Sequence, residues 1–99
     1  MRVVWSPLAI RRAREAADFI AQDRPTAATE WVSGLFDATN TLSRFPNRGR
    51  RVPELDRPDI RELIYGTYRV IYRVEPKRVS ILTLRHARRR FDAAEVERA

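Results

Sequence analysis

The sequence predicts a single α+β domain, residues 1–99, in which two antiparallel helices pack on one face of a mainly antiparallel sheet. Apolar residues recur at helical spacing over residues 7–45, and they alternate at strand spacing over residues 60–85. Because both helices precede the last three strands, the pattern indicates an α+β fold. A chain of 99 residues is long enough for one domain with one core.

The first predicted element is a short strand at residues 2–5, and a helix follows from Ser6 and Pro7. Serine is a favoured N-cap, and proline suits the first helical position because the N–H that it lacks has no helical partner there. The apolar stripe of this helix is mostly alanine, which lets a neighbouring helix approach closely. Its members are Ala9, Ala13, Ala16, Ala17 and Ile20.

A second amphipathic helix is predicted from Pro25 to about Phe45. Pro25 suits a first turn and not a helix interior, so it separates the two helices. Two helices joined this tightly form an antiparallel αα-hairpin. The positions expected on the core face of the second helix are Ala28, Trp31, Val32, Leu35, Thr39, Leu42 and Phe45.

The second half of the chain predicts a loop and then a sheet. Residues 46–58 are rich in proline and arginine and indicate a loop without regular structure. Three strands of a meander follow at residues 60–65, 68–74 and 79–85. Asp92 and Glu95 resemble a capping box, which predicts a short terminal helix at residues 92–98. Because the hairpin covers one face of the sheet, the opposite face is expected to be open for function.

Charge and composition narrow the classes of function. The net charge is +7, and residues 44–90 carry fourteen basic against five acidic side chains, which indicates an acidic or polyanionic partner. The absence of cysteine excludes disulfides and thiolate metal sites, and with a single histidine we predict no metal and no cofactor. No apolar run is long enough for a signal peptide or a membrane span, so we expect a cytoplasmic protein without membrane association.

Several short motifs, each weak alone, occur in a consistent order over residues 3–90. They are Trp5-Ser6-Pro7, Asp23-x-Pro25-x-Ala27-Ala28, Phe45-Pro46, Gly49-Arg50, Val52-Pro53-Glu54, Arg61-Glu62, the strand at residues 68–74, and His86-x-Arg88-Arg89. In this order and spacing the chain resembles the RelE/ParE superfamily of toxins, and it is closer to the ParE, or plasmid stabilisation, branch. The resemblance implies a β-α-α-β-β-β fold and the toxin of a type II toxin–antitoxin pair, which stops growth unless its cognate antitoxin is bound.

The resemblance implies two alternative activities, since RelE-like members cut mRNA on the ribosome and ParE-like members inhibit DNA gyrase. Metal-free RNA cleavage needs a base for the 2′-OH, an acid for the leaving oxygen and cations for the charged phosphorane. The positions that match residues of nuclease members are Glu54 as base, Arg69 as phosphate clamp and His86 as acid. The arginines predicted to bind a target or a phosphate are Arg50, Arg51, Arg61, Arg73, Arg88, Arg89 and Arg90.

One difference from the nuclease members favours gyrase inhibition over mRNA cleavage. Those members commonly carry a tyrosine just after the last strand, whereas here His86 is followed by Ala87 and three arginines. We therefore predict a ParE-like gyrase inhibitor, with the mRNA endonuclease as the alternative and a decayed toxin that only binds antitoxin as a third reading. A structural interpretation of the same three residues is also open. In it, Glu54 pairs with an arginine such as Arg51, and Arg69 ties the sheet to the loop. His86 is then a hydrogen-bonded end of the last strand.

The expected antitoxin follows from charge and from the resemblance. A basic C-terminal half favours an acidic antitoxin segment that is disordered at first and folds on the toxin, giving a hetero-oligomer. The resemblance implies that this segment wraps the toxin with an amphipathic helix and an added strand. We place the helix on the exposed side of the hairpin, where apolar residues remain outside the core stripe. These residues are Leu8, Ile10, Phe19 and Phe36.

Overall fold

The computed structural model describes residues 1–98, and its elements follow the predicted order. They are β1 (Arg2–Trp5), α1 (Pro7–Asp23), α2 (Pro25–Asn40), a 3₁₀ turn (Thr41–Ser43), β2 (Arg50–Arg51), β3 (Ile60–Tyr65), β4 (Tyr68–Val74), β5 (Arg78–His86) and α3 (Ala93–Arg98). The predicted α+β fold is confirmed, and the last residue of the predicted domain, Ala99, lies outside the described residues. Within residues 1–98, no helix is long and apolar enough to cross a membrane.

All five strands form one sheet in the order β1-β5-β4-β3-β2. β1 runs parallel to β5 and pairs with residues 78–81, while the other neighbouring strands are antiparallel. β1 therefore accompanies only the first half of β5. The register between β4 and β5 shifts between Ile71 and Tyr72, a bulge that makes Leu82 an extra residue on β5.

Ser6 guides the chain from β1 into α1. Its backbone N–H donates to the carbonyl oxygen of Ile81 at 2.9 Å, and its hydroxyl donates to the carbonyl oxygen of Leu82 at 2.7 Å. The same hydroxyl accepts the backbone N–H of Ala9 at 3.0 Å, which is the N-cap bond expected from the sequence. One side chain thus caps the helix and fixes it to the sheet.

The face of the sheet toward the helices holds the main core. Tyr72 on β4 is its largest fully buried side chain, and it packs in one cluster with Leu35 of α2 and Leu84 of β5. The other buried members are Ala9, Leu42, Val70, Val79 and Ile81. This composition confirms the predicted alternation along β4 and the contribution of Ala9 from the alanine stripe of α1.

The opposite face of the sheet is covered, so the expectation of an open face is wrong for much of it. Val96 of α3 is buried there together with Ile71 of β4 and Leu82 of β5. The other residues of this second cluster are Val52, Ile60, Leu55 and Phe91. The loop after β2 and the terminal helix both return to this face, because doing so removes its apolar strand residues from water.

α2 is shorter than predicted, because the helix ends at Asn40 and a 3₁₀ turn follows it. The hydroxyl of Thr41 donates to the carbonyl oxygen of Ala38 at 2.6 Å, a local bond that competes with continued helix. Phe45, which was expected on the core face, is instead 62% exposed. The predicted burial of Phe45 is therefore wrong.

Two smaller details also differ from the sequence-based expectation. The loop expected at residues 46–58 contains β2, whose two residues pair with residues 61–62 and are too few to give an alternating pattern. Asp92 caps the predicted short helix α3 by accepting the backbone N–H of Ala94 at 3.0 Å, one residue earlier than the Glu95 N–H of a capping box. The carboxylate of Glu95, however, binds Arg12 of α1 and Arg85 of β5.

Candidate functional site

Arg69 is the centre of an ionic cluster on the face that α3 covers. The residue is 8% exposed, and its Nε donates to Oε1 of Glu62 at 2.6 Å. Its two terminal nitrogens donate to the two carboxylate oxygens of Glu54 at 2.7 and 2.8 Å. The guanidinium carbon lies over the ring of Phe91, 5.4 Å from the ring centroid. The guanidinium therefore already holds two carboxylates and an aromatic ring.

The two carboxylates around Arg69 differ in exposure. The side chain of Glu62 is fully buried and also accepts from Nε of Arg50 at 2.6 Å, whereas the side chain of Glu54 is 42% exposed. The hydrogen bond from Arg69 lowers the pKa of Glu54 below the usual 4.5. The same hydrogen bond raises the pKa of Arg69. Glu54 is thus an ionised partner of Arg69 and a weak proton acceptor.

His86 lies on the other face of the sheet. In the pairing of β4 with β5, Tyr68 is opposite His86, and Arg69 is opposite Arg85. Neighbouring residues of a strand point to opposite faces, so His86 shares its face with Tyr68 and the helices. The rings of Tyr68 and His86 are 5.3 Å apart between centroids, and Nδ1 of His86 accepts the backbone N–H of Arg88 at 3.1 Å.

The structure does not bring together the three residues predicted for RNA cleavage. Glu54 and Arg69 meet at hydrogen-bond distance, whereas the sheet separates His86 from both. An acid and a base that act on one phosphodiester must face the same space. The contacts of Arg69 instead match the structural interpretation, in which it ties the sheet to the loop that carries Glu54. The partner of Glu54 is Arg69 and not the neighbouring Arg51.

The arginines predicted to bind a target or a phosphate are spread over several surfaces. Arg61 faces the helix side, where its Nη1 donates to the carbonyl oxygen of Gly49 at 2.8 Å. Arg73 is on the opposite face and donates to the carbonyl oxygen of Val96 in α3 at 3.4 Å. The structure therefore does not collect them into one basic site. Those that remain exposed are Arg50, Arg51, Arg88, Arg89 and Arg90.

A groove of about 890 Å³ lies between α1 and the end of β5, beside the part of β5 that does not pair with β1. Ala16, Tyr68 and Leu84 contribute apolar surface, and Phe19 stands 72% exposed within it. The charged residues that line the groove are Arg11, Arg12, Glu15, Arg88 and Arg89. The groove thus combines apolar surface with net positive charge.

The residues predicted to bind an antitoxin do not form one patch. Phe19 lines the groove, while Phe36 is 45% exposed and its ring contacts that of Trp5 at 5.3 Å between centroids. Ile10 is 46% exposed and lies nine residues before Phe19, which places it about 180° away around α1. Leu8 is half-buried. The exposure expected for Phe19, Ile10 and Phe36 is confirmed, and their binding role stays a prediction.

Sequence reasoning missed the part played by two buried carboxylates. Glu95 is 6% exposed, binds Arg12, and accepts from Nη1 of Arg85 at 3.0 Å. Glu62, noted only within a motif, could have been found because it lies on an apolar face of β3, where a carboxylate needs a partner. No such signal indicated an ionic role for Glu95, because the capping-box spacing already explained a glutamate at that position. Among the described side chains, no three acidic or histidine groups come together to hold a metal ion.

Comparison with known proteins gives consistent matches over most of the chain. The family model described as "ParE toxin of type II toxin-antitoxin system, parDE" matches residues 3–91. Toxin RelE2 of Caulobacter vibrioides is 34% identical over 89 residues, which cover 89% of this chain and 97% of that protein. The putative toxin Y4kP of Sinorhizobium fredii is 32% identical over 94 residues, which cover 91% of this chain and 92% of that protein.

Two solved structures share the fold. One belongs to the chromosomal ParDE TA system from P. aeruginosa, with a TM-score of 0.74 and 21% identity, covering 87% of this chain and 95% of that one. The other belongs to the toxin–antitoxin complex RelBE2 from Mycobacterium tuberculosis, with a TM-score of 0.60 and 22% identity, covering 86% of this chain and 95% of that one. At these identities the likeness establishes a common fold.

Proposed function

The chain belongs to the family of ParE toxins of type II toxin–antitoxin systems, and on that basis we propose that it arrests growth by binding a protein target. DNA gyrase is the first candidate, because the resemblance to ParE-like members implies that target. In this proposal the chain acts in the cytoplasm as a binding protein and carries out no reaction on RNA.

The occupied guanidinium of Arg69 is the observation that carries the proposal. A phosphate clamp needs N–H groups that face the substrate, yet each of the three guanidinium nitrogens of Arg69 already donates to Glu54 or Glu62. A general base works best with a pKa near the working pH, whereas Arg69 holds the pKa of Glu54 below 4.5. These contacts favour a structural use of both residues.

The location of His86 supports the same proposal. A general acid must lie within hydrogen-bond reach of the leaving oxygen, directly or through one water. His86 lines the groove beside Tyr68, across the sheet from Arg69. A single phosphodiester would have to contact both faces of the sheet to use His86 and Arg69 together.

A cognate antitoxin is the second proposed partner. One structural relative is a toxin–antitoxin complex. The groove offers apolar surface for an amphipathic helix and arginines for acidic side chains. An acidic segment that folds on binding would meet both requirements, with Phe19 as an exposed apolar contact. The expected assembly is a hetero-oligomer of toxin and antitoxin.

Two parallel reactions with purified toxin test the proposed target: supercoiling by gyrase, and cleavage of mRNA on programmed ribosomes. We expect blocked supercoiling and intact mRNA. Codon-positioned cuts that disappear in both His86→Ala and Glu54→Gln would establish the endonuclease instead. These variants suit the test because neither side chain is fully buried. If neither reaction responds and induction leaves growth unchanged, the proposal that the chain arrests growth is wrong.

A further inference from the structure

Phe45 is a large apolar side chain held outside the core. It is 62% exposed in the turn that follows the 3₁₀ segment, and neither buried cluster of residues 1–98 includes it. With Pro46, Asn47 and Arg48 it lines a depression of about 650 Å³. An aromatic side chain that stands beside a depression has the form of an anchor residue at a protein interface.

The turn that carries Phe45 is anchored to the buried Tyr72. The hydroxyl of Tyr72 donates to the carbonyl oxygen of Pro46 at 2.8 Å and accepts the backbone N–H of Gly49 at 2.9 Å. Nη1 of Arg61 donates to the carbonyl oxygen of Gly49 at 2.8 Å. Both ends of residues 46–49 are therefore fixed to the sheet.

Gly49 shows how closely this turn fits against the sheet. A Cβ at Gly49 would lie 2.4 Å from the carbonyl oxygen of Glu62 and 2.6 Å from the hydroxyl of Tyr72. Neither distance is tolerable, so the backbone approaches the sheet this closely only with glycine. A turn that is rigid before binding loses little conformational entropy when Phe45 meets a partner.

The surroundings of Phe45 are basic. Residues 38–49 contain two arginines and no acidic residue. Both are exposed: Arg44 precedes Phe45 in the chain, and Arg48 lines the depression with it. Arg48 is also held in place, since its Nη1 donates to the hydroxyl of Thr41 at 2.9 Å. This charge complements an acidic partner surface.

We propose that Phe45, Arg44 and Arg48, here called the Phe45 surface, dock an acidic surface of the protein target that has an apolar socket for the ring. Aromatic and arginine side chains dominate the binding energy of many protein interfaces, above all when they are rigid beforehand. The proposal rests on the proposed function in requiring a protein target, and it adds where on the chain that target binds.

A protein partner fits the Phe45 surface better than a nucleic acid does. Proteins that bind single-stranded nucleic acid stack successive bases on several aromatic side chains. Phe45 is the only aromatic residue between Phe36 and Tyr65 in the sequence. One ring beside a proline suits a single apolar socket in a protein.

The Phe45 surface is separate from the groove. Tyr68 lines the groove and Tyr72 supports the turn of Phe45, and four residues of strand place them about 13 Å apart along β4. Among the described side chains, none lines both depressions. Target and antitoxin would therefore contact different parts of the toxin.

Induced expression of Phe45→Ala, with Phe19→Ala as the matched control, tests this separation. Both replaced side chains are exposed phenylalanines, and circular dichroism melting checks that each variant folds like the wild type. Growth is measured with and without co-expression of the cognate antitoxin. We expect Phe45→Ala to arrest growth about tenfold less effectively or worse and still to bind that antitoxin. Phe19→Ala should arrest growth normally and resist neutralisation.

A Phe45→Ala variant as potent as the wild type, or one that folds but no longer binds antitoxin, would overturn the proposal.

A photo-crosslinking phenylalanine analogue at position 45 then identifies the partner. A crosslink to a protein other than the antitoxin supports the Phe45 surface, and a crosslink to the antitoxin, RNA or DNA overturns it. Neither measurement presupposes gyrase as the target. A crosslink to a protein other than gyrase and the antitoxin therefore refutes gyrase and leaves this surface standing, whereas a fully potent Phe45→Ala refutes the surface and leaves gyrase standing.

Discussion

The two faces of the sheet are held by different kinds of interaction. The face toward the helices is an apolar core in which Tyr72, Leu35 and their neighbours exclude water. The opposite face combines a smaller apolar cluster with two ionic clusters, one around Arg69 and one around Glu95. Side-chain volume decides stability on the first face, whereas on the second each buried charge depends on its partner.

The difference between the two faces explains how an ion pair within the fold can resemble a catalytic pair in a sequence. Glu54 and Arg69 have the residue types and the order of a base and a phosphate clamp. They lie on the face where a loop must be joined to the sheet, and they join it. Residue type and spacing therefore placed both residues in one candidate site and did not predict that they bind each other.

The largest effect is expected for Arg69→Ala, which leaves the carboxylate of Glu62 buried beside only one arginine. We expect the free energy of unfolding, measured with urea, to fall by about 3–5 kcal/mol. Arg51→Ala, at an exposed arginine, should change it by less than about 0.5 kcal/mol. Equal effects of the two substitutions would show that the ionic cluster does not stabilise the fold.

Conservative substitutions test whether the two faces differ in how much stability a small change of side chain costs. Leu35→Met on the apolar face should cost less than about 1.5 kcal/mol, because volume is nearly kept. Arg69→Lys should cost more than that, because a single ammonium cannot reproduce three directed hydrogen bonds. Denaturant unfolding of both variants measures the difference, and the reverse order would contradict the account of the two faces.

A smaller effect is expected for Glu95→Gln in the second ionic cluster. The neutral amide weakens the bonds to Arg12 and Arg85, and we expect a loss of about 2 kcal/mol in the free energy of unfolding. Glu97→Gln, at an exposed position of the same helix, is the matched control. If both variants unfold at the same urea concentration, Glu95 does not hold α3 on the sheet.

The smallest effect is expected for Glu54→Gln, because the side chain is 42% exposed. The loss at neutral pH should be about 0.2–1 kcal/mol. Since Arg69 lowers the pKa of Glu54, the contribution of Glu54 is complete above 4.5 and is lost as the pH falls through the folded-state pKa. The difference between variant and wild type should therefore shrink as the pH is lowered below 4.5, as unfolding curves at several pH values would reveal. A constant difference would contradict the ionic role.

Local signals were enough to predict the fold. Ser6 with Pro7 marked the start of α1, Pro25 separated the helices, and alternation over residues 68–74 marked β4. Each of these depends on neighbours in the chain. The order of elements and the side of the sheet that the hairpin covers followed from them.

The parts that were not predicted depend on contacts between distant residues. Tyr72 fixes Pro46, 26 residues away, and thereby holds the turn that presents Phe45. Arg12 and Glu95 are 83 residues apart. No local pattern reports such pairs, so the exposure of Phe45 and the covered sheet face appeared only in three dimensions.

The separation of His86 from Arg69 by the sheet is the central claim, and His86→Ala tests it most directly. The variant is expressed at the level of the wild type, and growth arrest is measured beside the integrity of cellular mRNA. We predict undiminished arrest with intact mRNA, because His86 forms no site with Glu54 and Arg69. Loss of arrest in a variant that still folds, together with loss of mRNA cuts made by the wild type, would contradict the account.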